Sequence, residues 1–225
     1  AKSPASAAAA AGASAGLPPK SGGTFRTGTP TDITKLDGHV SLTNLASTLG
    51  MVFDRLVAYD AKVQPRPMLA ESWDVSPDFK TFKLSLRKGV TYHSGREFTS
   101  DDVKYNLLRG LDPKAGTGSY TTQAKWFDGI DTPDKYTAVL RSTVSRPTMF
   151  DYLNALNIID KVTMASAQAA TTIVGTGPFT FVEWVQGDHL KFAKNKNYWR
   201  SGRPYLDGVV VNITRDVVAG ATRLQ

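Results

Sequence analysis

The sequence predicts a mixed α/β fold, and three observations carry that reading. Short segments of apolar/polar alternation recur along the chain, most clearly where Phe82, Leu84 and Leu86 alternate with Lys83, Ser85 and Arg87. Apolar residues at helical spacing occupy the stretches 42–56 and 103–111 between such segments. The composition is that of an ordinary globular protein: 41% hydrophobic and 10% aromatic in 225 residues, enough for one domain or two small ones. No fixed-period repeat is present.

Gly23-Thr24-Phe25-Arg26 opens the folded part as a short strand, followed by a polar loop from Thr29 to Gly38. Leu42 to Leu56 reads as a helix, with one apolar face at 42, 45, 49, 52, 53 and 56. Val57 to Asp60 leads to a break at Pro65-Arg66-Pro67. Residues 71–95 read as strands: Trp73 and Val75 alternate, Ser76-Pro77-Asp78 turns the chain, and residues 82–87 return as the second arm of a hairpin. Gly89 to Gly95 is extended and ends in a turn. Thr99 and Asp102 then form a capping box, with Val103, Leu107, Leu108 and Leu111 as the buried face of the helix and Asp112-Pro113 as its stop. Lys114 to Tyr120 reads as a Gly-rich loop, Tyr136 to Arg141 as a strand and Thr148 to Ile159 as a short helix. Pro178 to Val185, His189 to Ala193 and Gly208 to Ile213 read as strands by alternation or β-branching.

Charge narrows the function classes. With 27 Lys+Arg against 20 Asp+Glu the chain carries +7, which taken whole suggests a polyanionic partner. Residues 24–190, however, hold 18 basic and 18 acidic residues. The excess lies at the two ends. Residues 1–23 contain 20 Ala, Gly, Ser or Pro and offer almost no side chain to bury, so they read as a flexible tether. The absence of cysteine removes disulfides, thiolate metal sites and a cysteine nucleophile. No apolar run approaches the ~20 residues that span a bilayer.

The usual reactive constellations are missing as well. His39, His93 and His189 lie far apart with no metal-ligand spacing, and each reads most simply as a surface or hydrogen-bonded structural histidine. No G-x-S-x-G elbow is present. Gly116-Thr117-Gly118 and Gly175-Thr176-Gly177-Pro178 lack the helix entry that phosphate cradling requires. Asp101 and Asp102 are adjacent, so on a helix they do not face each other and read as helix-start acids. No cofactor, metal or catalytic residue is therefore expected. Trp126, Tyr120, Trp184, Tyr198, Trp199 and Tyr205 either stack on a ligand or fill a core, and Tyr120 and Trp126 stand out because their stretch is rich in Gly and Thr. Lys191 to Arg200 interleaves basic and aromatic residues, which leaves a nucleic-acid-binding module as a competing reading.

Two long stretches resemble a known family. The first runs Ala70-Glu71-Ser72-Trp73 and then Asp78 to Val103, through Phe82-Lys83-Leu84-Ser85-Leu86-Arg87-Lys88-Gly89-Val90 and Phe98-Thr99-Ser100-Asp101-Asp102-Val103. The second comprises Val174-Gly175-Thr176-Gly177-Pro178-Phe179, Asn195-Lys196-Asn197-Tyr198-Trp199 and Pro204-Tyr205-Leu206-Asp207-Gly208-Val209. Both are similar to segments of the family 5 extracellular solute-binding proteins, the peptide- and nickel-binding receptors of ABC importers. That resemblance implies a bilobed, type II periplasmic-binding-protein-like α/β fold that closes on its ligand. This chain would supply mostly lobe I, as the front part of a longer receptor. A core subdomain is expected from 24–58 and 174–225, with an inserted subdomain at 59–173.

The resemblance further implies an extracytoplasmic monomer that captures oligopeptides or dipeptides between its lobes and delivers them to a membrane permease, with a nickel chelate or oligosaccharide as alternative solute. It implies no enzymatic activity and no nucleic-acid partner. With no cysteine for a lipid, either an anchor lies upstream or the protein is free in the periplasm. By similarity, His39, Ser41, Leu42 and Thr43 face the cleft, and Trp126 and Asn157 fall near positions where other members place cleft residues.

Overall fold

The computed structural model describes residues 19–40, 48, 50–115, 118–166, 169 and 171–214. Ten strands and four α-helices are assigned among them. Strands β1 (Thr24–Thr29), β8 (Phe179–Val185), β9 (His189–Lys194) and β10 (Gly208–Ile213) form one sheet in the order β1-β10-β9-β8, with β1 parallel to β10 and the other pairs antiparallel. A second sheet takes the order β4-β5-β7-β6 from β4 (Ala70–Val75), β5 (Thr81–Leu86), β6 (Gly129–Asp134) and β7 (Thr137–Arg141), all antiparallel. Between them, β2 (Val57–Tyr59) and β3 (Pro65–Pro67) pair as a two-stranded ribbon. The fold is thus mixed α/β, as expected.

Pattern and packing agree closely in β5. Phe82, Leu84 and Leu86 point into the core and Lys83 and Ser85 into solvent, and Phe82 and Leu84 stand opposite Leu140 and Ala138 of β7. Burying each of those leucines contributes roughly 1.5–3 kcal/mol. The β10 run Gly208-Val209-Val210-Val211 is buried throughout, because a neighbour on each side makes it a central strand. Helix α1 (Ser100–Leu108) starts at the expected capping box, where the Thr99 N–H donates to Asp102 Oδ2 at 2.9 Å. Val103 and Leu107 are buried on its face, but Leu111 is 48% exposed because the helix gives way to a 3-10 turn at Arg109–Leu111.

Other expectations need correction. Residues 50–56 form turn and extended chain rather than helix. Their carbonyls are spent on distant partners: Met51 O accepts from Phe179 N, Val52 O from Gly177 N, Asp54 O from Ile158 N, Arg55 O from Leu69 N and Leu56 O from Ala70 N. Of the rest of that predicted helix, Thr48 is helical and residues 42–47 and 49 lie outside the described residues, as do residues 1–18 of the predicted tether. The stretch 114–120 holds the end of a 3-10 turn and the start of helix α2 (Gly118–Ala124). Helix α3 (Met149–Ala155) is shorter than predicted, and the chain after it is extended, with Ile158 and Asp160 bonding to Asp54 and Val174. Pro65-Arg66-Pro67 pairs as a strand instead of only breaking the chain, and β6 has no counterpart in the sequence reading. Helix α4 (Lys161–Met164) is a single turn capped by Asp160, whose carboxylate accepts from Val162 N.

Buried apolar side chains fall into two clusters. One surrounds the β4-β5-β7-β6 sheet with α1 and α3, from Leu56 to Ile158; the other lines the β1-β10-β9-β8 sheet, from Ile33 to Ile213. Ile158 belongs to the first and Ile159 to the second.

Candidate functional site

Three of the residues singled out from sequence meet in one tract beside the seam between the clusters. Asp37, in the loop after β1, anchors it. Its Oδ1 accepts from the His39 N–H at 2.9 Å, and its carboxylate takes a bidentate pair from Arg109, at 2.9 Å from Nη1 and 2.6 Å from Nη2. Burial pushes the Asp37 carboxyl up, but the bonds from Arg109 and His39 outweigh it and hold the carboxyl below its ordinary value. Gly38 between them is tightly packed: a Cβ would sit 2.7 Å from the Phe53 ring and 2.9 Å from an Ile159 methyl.

The histidine that this loop presents is 1% exposed. Its Nε2 lies 2.7 Å from the Asn157 carbonyl oxygen. A carbonyl only accepts, so Nε2 carries the proton and Nδ1 is left as a bare acceptor. Burial, joined by the nearby Arg109 charge, lowers the His39 pKa to about 4, so the ring is neutral at neutral pH. Asn157 returns the contact by donating Nδ2 to the Gly38 carbonyl at 3.1 Å, which assigns Oδ1 as its free acceptor. Neither His39 Nδ1 nor Asn157 Oδ1 finds a partner among the described residues.

Aromatic rings wall the tract. Tyr120 of α2 packs edge-on against His39 at 5.3 Å, and Tyr152 of α3 sits 5.9 Å from both Tyr120 and Trp126. Both phenols are tied to main chain, Tyr120 to the Ala155 carbonyl at 3.2 Å and Tyr152 to the Leu107 carbonyl at 3.3 Å. Burial pushes the Tyr120 hydroxyl up to about 12, so it stays protonated as a donor. Arg146 lies over the Trp126 ring at 4.9 Å. Six buried side-chain polar atoms lack a partner among the described residues: His39 Nδ1 and Asn157 Oδ1 lie here, Arg146 Nε belongs to the arginine over Trp126, and Gln123 Oε1 to the α2 helix that carries Tyr120. The two in the tract are both acceptors.

Ser41, Leu42 and Thr43 lie outside the described residues. Tyr120 was visible in sequence only as an aromatic in a Gly/Thr-rich stretch. Tyr152, Gln123 and Arg146 left no local signal.

The comparisons with known proteins bear on this frame directly. The model of the bacterial extracellular solute-binding proteins, family 5 Middle, matches residues 64–225. The chain belongs to this family. Its members are solute-binding proteins rather than a class of enzymes. Heme-binding protein A of Haemophilus influenzae is 31% identical over 202 residues, covering 77% of this chain and 36% of that protein. Di/tripeptide-binding protein 1 of Pseudomonas aeruginosa is 30% identical over 205 residues, covering 77% and 37%. Among solved structures, the PBP AgaA from A. tumefacien R10, in complex with agropinic acid, is 32% identical with a TM-score of 0.80, over 89% of this chain and 41% of that one. The periplasmic-binding-protein fold is borne out, and the chain spans a little over a third of the length of the curated relatives it matches.

The segments that mark family 5 membership in sequence form the seam rather than the tract. Gly175 and Gly177 press on the chain at Met51 and Val52, where a Cβ on Gly175 would meet Val52 O at 2.1 Å. The Gly177 carbonyl accepts from His93 Nε2 and from Asn195 Nδ2, both at 2.9 Å. Asp54, 3% exposed, takes bonds from Thr176 Oγ1 at 3.1 Å, Tyr198 OH at 3.0 Å and Trp199 Nε1 at 2.7 Å. Arg96 bridges Asp102 and Asp160, 2.6 Å from each, with its guanidinium 4.5 Å over Tyr92. His93 is accordingly a hydrogen-bonded structural histidine, and Asp102 a buried helix-start acid. His189 pairs with Asp188 at 2.7 Å and Glu183 at 3.3 Å, which raise its pKa.

Proposed function

We propose that this chain forms one wall of the ligand cleft in an extracytoplasmic receptor of an ABC importer, and that the solute is a short peptide. The observation that carries the reading is the pair of acceptors, His39 Nδ1 and Asn157 Oδ1, that meet no partner among the described residues, beside the rings of Tyr120, Tyr152 and Trp126. A buried acceptor without a donor costs about 1–3 kcal/mol. A ligand carrying N–H groups offsets that cost when it binds, and peptide backbone and an N-terminal ammonium are rich in them. His39, Ser41, Leu42, Thr43, Trp126 and Asn157 constitute this wall, with the opposite wall contributed by sequence beyond this chain. The loaded receptor acts as a monomer and passes its solute to a membrane permease, with residues 1–23 as a spacer. The names of the relatives support a peptide through the di/tripeptide-binding protein and leave heme and agropinic acid as competitors.

Thermal-shift measurement on the longest natural protein containing this chain tests the reading, using di- and tripeptide mixtures, heme, a nickel–histidine chelate and an oligosaccharide. A Tm rise with peptides, lost in Asn157→Ala and Trp126→Ala, is expected. A rise with heme or the chelate and none with any peptide overturns the peptide assignment.

A further inference from the structure

The Lys/aromatic stretch near the end of the described chain takes no part in the tract above, yet it borders two adjoining cavities. One, of about 350 Å³, is lined by Met51, Asp54, Arg55, Met68, Pro178 and Tyr198 among others. The other, of about 310 Å³, shares Pro178 and Tyr198 and adds Arg200, Arg203, Tyr205 and Leu206. That is the lower end of the size range for small-molecule pockets, and the mixture of rings, aliphatic carbons and a few charges is typical of them.

The charges on this furrow do not balance. Arg200 lies 4.7 Å over the Trp199 ring and against the Met68 sulfur, and Arg203 lies 4.9 Å over the Tyr205 ring. Neither forms an ion pair with a carboxylate among the described residues. Asp54 is the acid on the wall, and its oxygens are already taken by Thr176, Tyr198 and Trp199. Both arginines line the same cavity as Tyr198. Lys191, by contrast, is spent on Glu183 at 3.2 Å.

The geometry points to a second ligand site, separate from the His39–Asn157 tract, at which Arg200 and Arg203 hold the carboxylate of a small organic acid whose apolar body rests on Pro178, Tyr198, Tyr205 and Leu206. Packing on aromatic rings holds each planar guanidinium in place, Arg200 with Nη2 on the Met68 sulfur, and a carboxylate can take the remaining N–H groups. The apolar floor favours an acid with a ring or short alkyl body over a bare inorganic anion.

The site is tested on the longest natural protein containing this chain by titrating phenylacetate and following tryptophan fluorescence, since Trp199 lies under Arg200. Phenylacetamide and inorganic phosphate serve as the neutral and non-apolar arms. Saturable binding of phenylacetate is expected, with both other probes at least about tenfold weaker, about 1.4 kcal/mol. Arg203→Gln, at an exposed position, should weaken phenylacetate at least tenfold, and Arg200→Gln likewise, with unchanged circular dichroism. The response of the protein to peptides should not move in either variant. Equal binding of phenylacetamide, an unchanged affinity in Arg203→Gln, or no saturable signal from phenylacetate overturns the site. Tighter binding of phosphate than of phenylacetate overturns its assignment to organic acids.

Discussion

The seam between the two clusters and the tract beside it are built from the same kinds of residue and differ in how they are satisfied. In the seam, Asp102 and Asp160 share Arg96, and Asp160 accepts in addition from Thr163 at 2.9 Å and Val162 N at 3.2 Å. Asp54 is met three times over. In the tract, His39 and Asn157 each keep an acceptor that nothing among the described residues meets. A fully satisfied buried network gives rigidity and a single geometry, whereas a partly satisfied one spends stability on something else. The seam is where the fold is held, and the tract is where a ligand has something to add.

The comparison breaks first at Arg96. Asp102 and Asp160 have side chains at most 1% exposed, and Arg96→Ala leaves both buried without their shared cation. Removing one partner of such a network costs about 3–5 kcal/mol. A shift of the urea midpoint at unchanged slope checks it. A cost below about 1 kcal/mol, the range of exposed pairs, would remove the distinction between seam and tract.

That network also shows what was legible in advance. The capping box from Thr99 to Asp102 is a four-residue pattern and the β5 alternation a six-residue one, so both are legible locally. Residues 50–56 were misread because periodicity reports which face is apolar but not where the carbonyls go. Here they go to 69–70, 158 and 177–179. The pairing of His39 with Asn157 spans 118 residues and runs through a main-chain oxygen, so no spacing announces it. Only family resemblance named those two residues, and it could not supply Tyr152 or Gln123.

Two glycines sharpen the contrast at smaller cost. On Gly175 a methyl group would meet main chain at 2.1 Å, whereas on Gly38 it would meet the Phe53 ring and a methyl of Ile159 at 2.7 and 2.9 Å. Backbone cannot step aside and side-chain ends can. Gly175→Ala should therefore cost roughly 3 kcal/mol, and Gly38→Ala nearer to roughly 1 kcal/mol. Denaturation of the pair in parallel reads the difference, and equal costs would show the tract to be packed as rigidly as the seam.

Within the seam, pH separates its two carboxylate networks. Burial raises the carboxyl of Asp160, but bonds from Arg96 and Thr163 win, and it ends below 3.8. Its contribution is present above pH 3.8 and lost as pH falls through the lower folded value. At Asp54 burial outweighs the bonds from Trp199, Tyr198 and Thr176, and the carboxyl ends above 3.8. The folded state then holds that proton more tightly than the unfolded chain does, so stability falls as pH climbs from 3.8 through the raised value. Asp54→Asn removes this decline. The stability of the unsubstituted protein relative to the variant should drop with rising pH over that window, and a flat difference from parallel melts at stepped pH would contradict the assignment.

The smallest effect on stability separates the two regions most directly. Gln123 Oε1, on the helix that carries Tyr120, is buried and unmet among the described residues, so replacing the amide by a similar-sized hydrocarbon removes a desolvated acceptor. Gln123→Leu should leave stability within about 0.5 kcal/mol of the parent or raise it slightly. The same substitution should lower the affinity for the peptide that gives the largest thermal shift by about tenfold, the value of one hydrogen bond in a desolvated site. No seam residue can give that pair of results, because every seam acceptor named above holds something up. Loss of stability without loss of affinity would make Gln123 one more structural residue and move the boundary between the two regions past α2.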